Sequence, residues 1–364
     1  MPMLSFFPWL TIEKKIEIGE IILIPFERDK KLSIPEEKFD GIYKEILGHY
    51  LEVNDRPVEK STLVFLKNKD PHQDYTHEEI EYLFSTSEII AFSGLANRKY
   101  FDVMGIEYCN RIDFTFVIQK FNMKSGSVGI STRRRDGHKD ILVSEIVFNV
   151  RMPYNVNNFY FKVDFNLAAS LIKAQEELEY NKWPSYADAI FNFNRANTDE
   201  DSTSEHQEVV MIVGAFQRLL ECNSTREDEL AERFTKLFQP KVDLDLTYSN
   251  RIKGSKYENR GMSLREIWIR DFYQLRGDYA HGKVQSQKPL IWEQKEHLLL
   301  GSYVFPLLVK CRLNEEKYFN LIMEDQFDIN VFEKLADEKL FQEKADGWPW
   351  NNIRGLEMLK EITG

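Results

Sequence analysis

The chain reads as an α+β protein, a mixed α/β-strand region followed by an all-α helical bundle, and three observations carry that reading. Short apolar or alternating runs bounded by turn residues dominate the stretch before about residue 165. After it the apolar positions recur every three or four residues, the rhythm of amphipathic helices. The 364 residues, 43% hydrophobic and 13% aromatic, suffice for two cores without a disordered bias. The expected division is 1–165 as an α+β domain, 166–315 as the helical bundle and 316–364 as a helical C-terminal tail.

In the first region, Ile16 to Phe26 is an apolar run that Pro25 is expected to end, a strand. Glu37 to Leu51 places Phe39, Ile42, Ile46 and Tyr50 at helical spacing, and Ser61 to Leu66 reads as a second strand. Thr76-x-x-Glu79 is a capping box opening a helix through Ile80, Leu83 and Phe84 towards Ile90. Strands follow near Ile112–Lys120, Ser127–Arg134 and Asp140–Val150, with Asp136-Gly137 as a two-residue hairpin signal between the last two. The role expected of this region is to sense or recruit an unidentified ligand or protein.

From Leu167 the period is helical. Leu167–Leu178 is one helix, and Tyr186, Ala189, Ile190 and Phe193 stripe a second behind Trp183-Pro184. Val209, Val213, Phe216 and Leu220 mark a third. Ser224-x-x-Glu227 is read as the cap of a fourth, with Leu230, Phe234 and Leu237 facing inward. Lys241 to Met262 is irregular. Trp292 to Arg312 closes the array with an expected kink at Pro306, and Phe332–Phe341 is helical in the tail.

Between these lies Leu264 to Gly282, whose apolar side chains at Leu264, Ile267, Trp268, Phe272, Leu275 and Tyr279 define an amphipathic helix. Ser263 precedes it as a candidate N-cap and Gly282 follows it as a candidate left-handed terminator, so the helix is expected to end on His281. An imidazole there stands among unpaired carbonyls that favour its protonated form. Arg276 projects from the same end. A fixed guanidinium beside a titratable imidazole is the minimum set for cleaving a phosphodiester, although Arg and His are also common helix C-terminal residues for the macrodipole alone.

The words Tyr273-x-x-Arg276 and Ala280-His281-Gly282, late in a helical array, resemble the HEPN superfamily, and most nearly its bacterial Apea-like branch, with its R-x4-6-H signature closing a helix. The resemblance covers roughly residues 166–315. Gly277 stands directly after the arginine, where active members often carry a small polar residue, and Asp278 comes one place later. The resemblance implies a metal-independent endoribonuclease without cofactors, working as a homodimer with a composite site, with a role in anti-phage defence. Arg276 and His281 would then be catalytic, Asp278 would orient one of them, and Tyr273, Tyr279 and Lys283 would bind RNA. The alternative it leaves open is a catalytically silent RNA- or protein-binding module.

The charge pattern is consistent with either. At a net −11 the chain is no bulk polyanion binder, so an RNA contact needs a local patch. Arg251, Lys253, Lys256, Arg260 and Arg265 provide one beside Tyr248 and Tyr257, with an ordinary solvated loop as the competing account. Arg133-Arg134-Arg135 is a second, lesser cluster. Asp70, His72, Asp74 and His77 are the only histidine–carboxylate group, and nothing fixes their geometry for a metal, so none is expected. His297 reads as a boundary residue of the bundle core, and His206 as a cap-region residue. Cys109, Cys222 and Cys311 are scattered, no leader is evident and no apolar run reaches the ~20 residues of a membrane helix, which fits a cytoplasmic protein.

Overall fold

A computed structural model describes residues 3–32, 37–70, 73–98, 100, 108–122, 127–135, 137–143, 149–152, 162–178, 182–200, 202–223, 226–240, 249, 251–282 and 289–342. The chain forms two units, Met1–Ala91 with Ile106–Ile172, and Phe92–Gly105 with Lys173–Gly364. The divide thus falls at residue 172, and a segment from the first half of the chain belongs to the helical unit.

The first unit is built on an antiparallel sheet. Its strands are β1 (Met3–Phe7), β2 (Ile16–Ile18), β3 (Ile21–Glu27), β5 (Lys60–Leu66), β6 (Val117–Phe121), β7 (Val128–Arg134) and β8 (Gly137–Val143). They lie in the order β2-β3-β5-β1-β6-β7-β8, each pairing antiparallel to its neighbour. A short parallel pair, β4 (Tyr50–Leu51) with β9 (Val150–Arg151), lies apart from it. Every residue of β1 is buried, as a central strand covered on both faces requires. Helix α1 (Glu37–Leu47) adds Tyr43, Ile46 and Leu47 to a core with Leu4, Phe6, Trp9, Phe26 and Leu63.

The sheet corrects several expectations. The run Ile16–Phe26 is a hairpin and not one strand, because Gly19 takes φ +52° and turns the chain between β2 and β3. Pro25 does not end β3. It faces Thr62 of β5, and β2 pairs only as far as Leu23, so the missing N–H lies on an open side. Arg111–Phe114 is a 3-10 turn capped by Asn110 and Asp113, and the strand begins only at Val117. The β7–β8 register closes at Arg134 opposite Gly137, so Gly137 is a strand residue; Asp136 and the side chains of Arg133 and Arg134 lie outside the described residues. The expected capping box of α2 (His77–Leu95) is present, with Glu79 N donating to Thr76 Oγ1 at 3.2 Å and Thr76 N to Glu79 Oε2 at 2.6 Å.

Helices α3 (Phe165–Glu177), α4 (Trp183–Ala196), α5 (Glu205–Leu219), α6 (Glu227–Leu237), α7 (Leu264–Ala280), α8 (Gln294–Glu315) and α9 (Met323–Asp337) follow. The N-cap of α6 is Arg226, and Ser224 lies outside the described residues. Helix α8 continues through Pro306. Trp268, fully buried at the middle of α7, organises the packing: its ring lies 6.0 Å from Phe216 of α5, 5.8 Å from Phe234 of α6 and 5.2 Å from Phe332 of α9. Burial of this kind makes a Trp→Ala change cost about 3–5 kcal/mol. The α9 segment, expected in the helical C-terminal tail outside the bundle, is therefore part of the core. Buried ion pairs fasten it further, Arg265 to Glu333 at 2.8 Å and Lys310 to Asp325 at 2.8 Å. Residues 343–364, with Trp348 and Trp350, lie outside the described residues.

Candidate nucleic-acid site at the end of α7

Helix α7 is held from its first turn to its middle. Ser263 is its N-cap, accepting from Glu266 N at 3.3 Å. Asp271, 1% exposed, accepts from Ile291 N at 2.9 Å, Trp292 N at 3.2 Å and His297 Nε2 at 3.1 Å, which ties the start of α8 to the middle of α7. His297 is thus a fully buried structural residue, stacked at 4.8 Å on Phe272, and not a boundary residue. At Gly301 of α8 an added Cβ would sit 2.8 Å from Phe272 Cε1 and 3.0 Å from Ile212 Cγ2, so the helices approach through glycine. These contacts fix the start and the middle of α7 against α5 and α8.

The C-terminus closes as its residues dictate. His281 is the C-cap, its N–H donating to Gly277 O at 3.2 Å, and Gly282 takes φ +74° with its N–H on Tyr279 O at 2.9 Å. His281 is exposed, and neither ring nitrogen has a partner among the described residues. Arg276 is half-buried. Its guanidinium lies 5.9 Å from the Tyr273 ring centroid, its Nε is buried without a hydrogen-bond partner, and it forms no ion pair among the described residues. The carboxylate pairing that would make this arginine purely structural is therefore not found there. With ~100° per residue, Tyr279, Arg276, Gly277 and His281 fall at about −60°, 0°, +100° and +140° around α7. Arg276 and His281 thus border its outer face with Gly277 between them, where an added Cβ would meet nothing within 4 Å.

The remaining expected site residues divide. Asp278 is 8% exposed and lies on the inward flank of the helix. Tyr273 and Tyr279 are half-buried; burial raises both phenols, Arg276 opposes the shift at Tyr273, and Glu205 and Asp278 add to it at Tyr279. Lys283 lies outside the described residues. The basic loop is partly structural. Arg251, its side chain 7% exposed, pairs with Glu296 at 2.5 Å and donates to Ile291 O at 3.3 Å, so it is not available to a phosphate. Arg265 is likewise consumed by Glu333. Lys253, Lys256 and Arg260 remain exposed, and Lys256 Nζ donates to Gln274 Oε1 of α7 at 3.2 Å while lying 4.6 Å from the Tyr257 ring centroid. Buried Ile252 and Tyr257 and the Arg251 pair anchor this cationic loop beside α7. Tyr248 lies outside the described residues.

A neighbouring set was not anticipated from the sequence. His206, in the first turn of α5, stacks on Tyr279 with ring centroids 4.0 Å apart and planes at 30°. The Tyr279 hydroxyl donates to Gln294 Oε1, and Gln294 Nε2 donates to Glu205 Oε2. Close by, Glu208 is pushed up to about 7, first by burial and then by Asp199 and Glu205, with Arg98 opposing. Elsewhere, His77 is an exposed residue beside Glu81 at 3.1 Å, His72 lies outside the described residues, and no group of three or more His, Cys, Asp or Glu converges as a metal site among those described. No described helix is long and apolar enough to cross a membrane. Compared with family models, with curated proteins and with solved structures, the chain matches none.

Proposed function

We propose that the helical unit is a HEPN-like endoribonuclease that cleaves RNA without metal, leaving 2′,3′-cyclic phosphate and 5′-hydroxyl ends. The observation that carries the reading is the pair that closes α7: among the described residues, the exposed His281 has no partner at either ring nitrogen and Arg276 has no carboxylate partner. In the reaction, the ribose 2′-oxygen forms a bond to the adjacent phosphorus as the bond to the 5′-oxygen breaks. Arg276 holds the non-bridging oxygens, where negative charge grows in the transition state. His281 transfers a proton at one of the two reacting ribose oxygens. Gly277 leaves the face between them open, so a sugar–phosphate backbone can approach the helix itself. Lys253, Lys256 and Arg260 supply the electrostatic attraction an acidic protein otherwise lacks.

Homodimerisation through this end of α7, with Arg276 and His281 of two chains meeting in one cleft, belongs to the same proposal, as does a defence role with RNA recruitment or triggering left to the first unit. Three free cysteines support a reducing cytoplasm.

The test is cleavage of labelled total RNA in EDTA by the wild type, Arg276→Ala and His281→Ala. Cleavage that leaves cyclic ends and disappears in both variants is the expected result. Mixing the two inactive variants restores partial activity if the site is composite, and none if each chain works alone. An inert wild type that binds RNA as well as both variants do would overturn the nuclease in favour of a silent binding module, for which the anchored cationic loop is the supporting observation.

A further inference from the structure

A sugar–phosphate backbone lying across the end of α7 meets more than the two residues that close the helix. We infer that Lys256 binds the phosphate next to the one that is cut, so that the substrate is held by at least two consecutive phosphates; the inference rests on the ribonuclease reading above.

Position is the first ground. With Arg276 taken as 0°, Gln274 falls at about +160° around α7, His281 at about +140° and Gly277 at about +100°. Gln274 and His281 therefore share one border of the outer face, about 10 Å apart along the axis, and Arg276 stands on the opposite border. Lys256 Nζ donates to Gln274 Oε1 at 3.2 Å, which sets its ammonium on the His281 border, about two turns nearer the start of the helix. The face between these groups carries Gly277 and the exposed Ala280, which leave a backbone room to lie against the helix.

Charge is the second. The groups that hold Lys256 are neutral: the Gln274 amide, and the Tyr257 ring with its centroid 4.6 Å away. They fix an ammonium without cancelling its charge, whereas Arg251 and Arg265 of the same basic stretch are each answered by a carboxylate. Lys256 is exposed and forms no ion pair among the described residues. Glu258, the acid of this loop, is turned back on the loop itself, accepting from Gly254 N at 2.7 Å.

Support is the third. The loop is wound on its own backbone, with Ser255 N on Ile252 O at 2.9 Å, Glu258 N on Ser255 O at 3.2 Å and Arg260 N on Tyr257 O at 3.2 Å. Ile252 and Tyr257 are buried beneath it. An ammonium mounted in this way loses less freedom on binding than one on a mobile segment. A grip on a phosphate that does not react also helps to place the one that does, so the contact bears on the rate as well as on affinity.

Lys256 as no more than a tie between its loop and α7 is the competing account, and pairing a change in the protein with a change in the RNA separates the two. An oligonucleotide spanning a cleavage site mapped in total RNA is 2′-O-methylated at every nucleotide but the one that attacks. It is made with phosphates throughout, and with a neutral methylphosphonate immediately 5′ or immediately 3′ of the cut. Full-length wild type, Lys256→Met and Lys256→Arg are assayed on all three strands in EDTA. On the all-phosphate strand Lys256→Met is expected to lose about 10-fold in kcat/KM, and Lys256→Arg to recover most of it. The wild type is expected to lose a similar factor on one methylphosphonate strand, and Lys256→Met to lose nothing further there, because the contact is already gone. A mere tie would lower cleavage of every strand by the same factor, so losses that multiply on both methylphosphonate strands would overturn the inference and leave the ribonuclease standing. Wild-type rates in Lys256→Met, or undiminished wild-type cleavage of both methylphosphonate strands, would do the same. A wild type that cuts no RNA overturns both.

Discussion

At the scale of single residues, two glycines in the same bundle have opposite meanings. Gly277 on α7 faces open space, so its lack of a side chain matters only for what can approach from outside. Gly301 on α8 has Phe272 and Ile212 against it, so its lack of a side chain is required by the packing. Gly301→Ala is expected to destabilise the helical unit by about 1–3 kcal/mol through overpacking, in spite of alanine's better helix propensity, and chemical denaturation measures it. Glu208 offers a test of sign. Its carboxyl is raised to about 7 from an ordinary 4.5, so the folded state binds its proton more tightly than the unfolded one. The associated stability is complete below about pH 4.5 and is lost as pH rises through 7. Because the group is only half-buried, screening reduces the effect to the order of 1 kcal/mol. Glu208→Gln should therefore raise the thermal midpoint at pH 8 and leave it nearly unchanged at pH 5.

At the scale of elements, α7 is held by Asp271 as much as by its apolar stripe. Asp271 receives two backbone N–H groups from the entry to α8 and the imidazole of His297. Asp271→Ala would leave all three donors buried and unanswered, an expected loss of about 3–5 kcal/mol in denaturant midpoint measurements. Such elements show what a linear sequence discloses. The rhythm of Leu264 to Tyr279, the serine before it and the glycine after it are local signals, and the helix lies where they put it. The hairpin inside Ile16–Phe26 was missed because an apolar run hides a turn unless the glycine within it is given weight. Strand β1 was missed because five residues beside two prolines carry little periodicity. Arg251 reads in the sequence as one of an accessible basic patch because its partner, Glu296, is 45 residues away, and nothing local distinguishes a cation that will be buried from one that will not. His206 does lie in the cap region of α5, as its sequence position implies, but its stacking on Tyr279, two helices further along the chain, has no local signal.

At the scale of the whole molecule, the ion pairs that hold α9 also govern when the site can exist. Arg265, in the first turn of α7, is answered by Glu333, 68 residues later, and Trp268 lacks part of its cover until Phe332 arrives. A chain emerging from the ribosome therefore cannot complete the helical unit until α9 has been released. Until then α7 carries a cation without its partner and an aromatic core open on one side. Chains stalled after residue 320 are expected to be protease-sensitive across α7, whereas chains stalled well beyond residue 342 should be protected; equal protection in both would show that α9 is dispensable. The packing of α7 therefore waits on a segment made long after α7 itself, and the helix whose end carries the candidate residues is the last part of the unit to be braced.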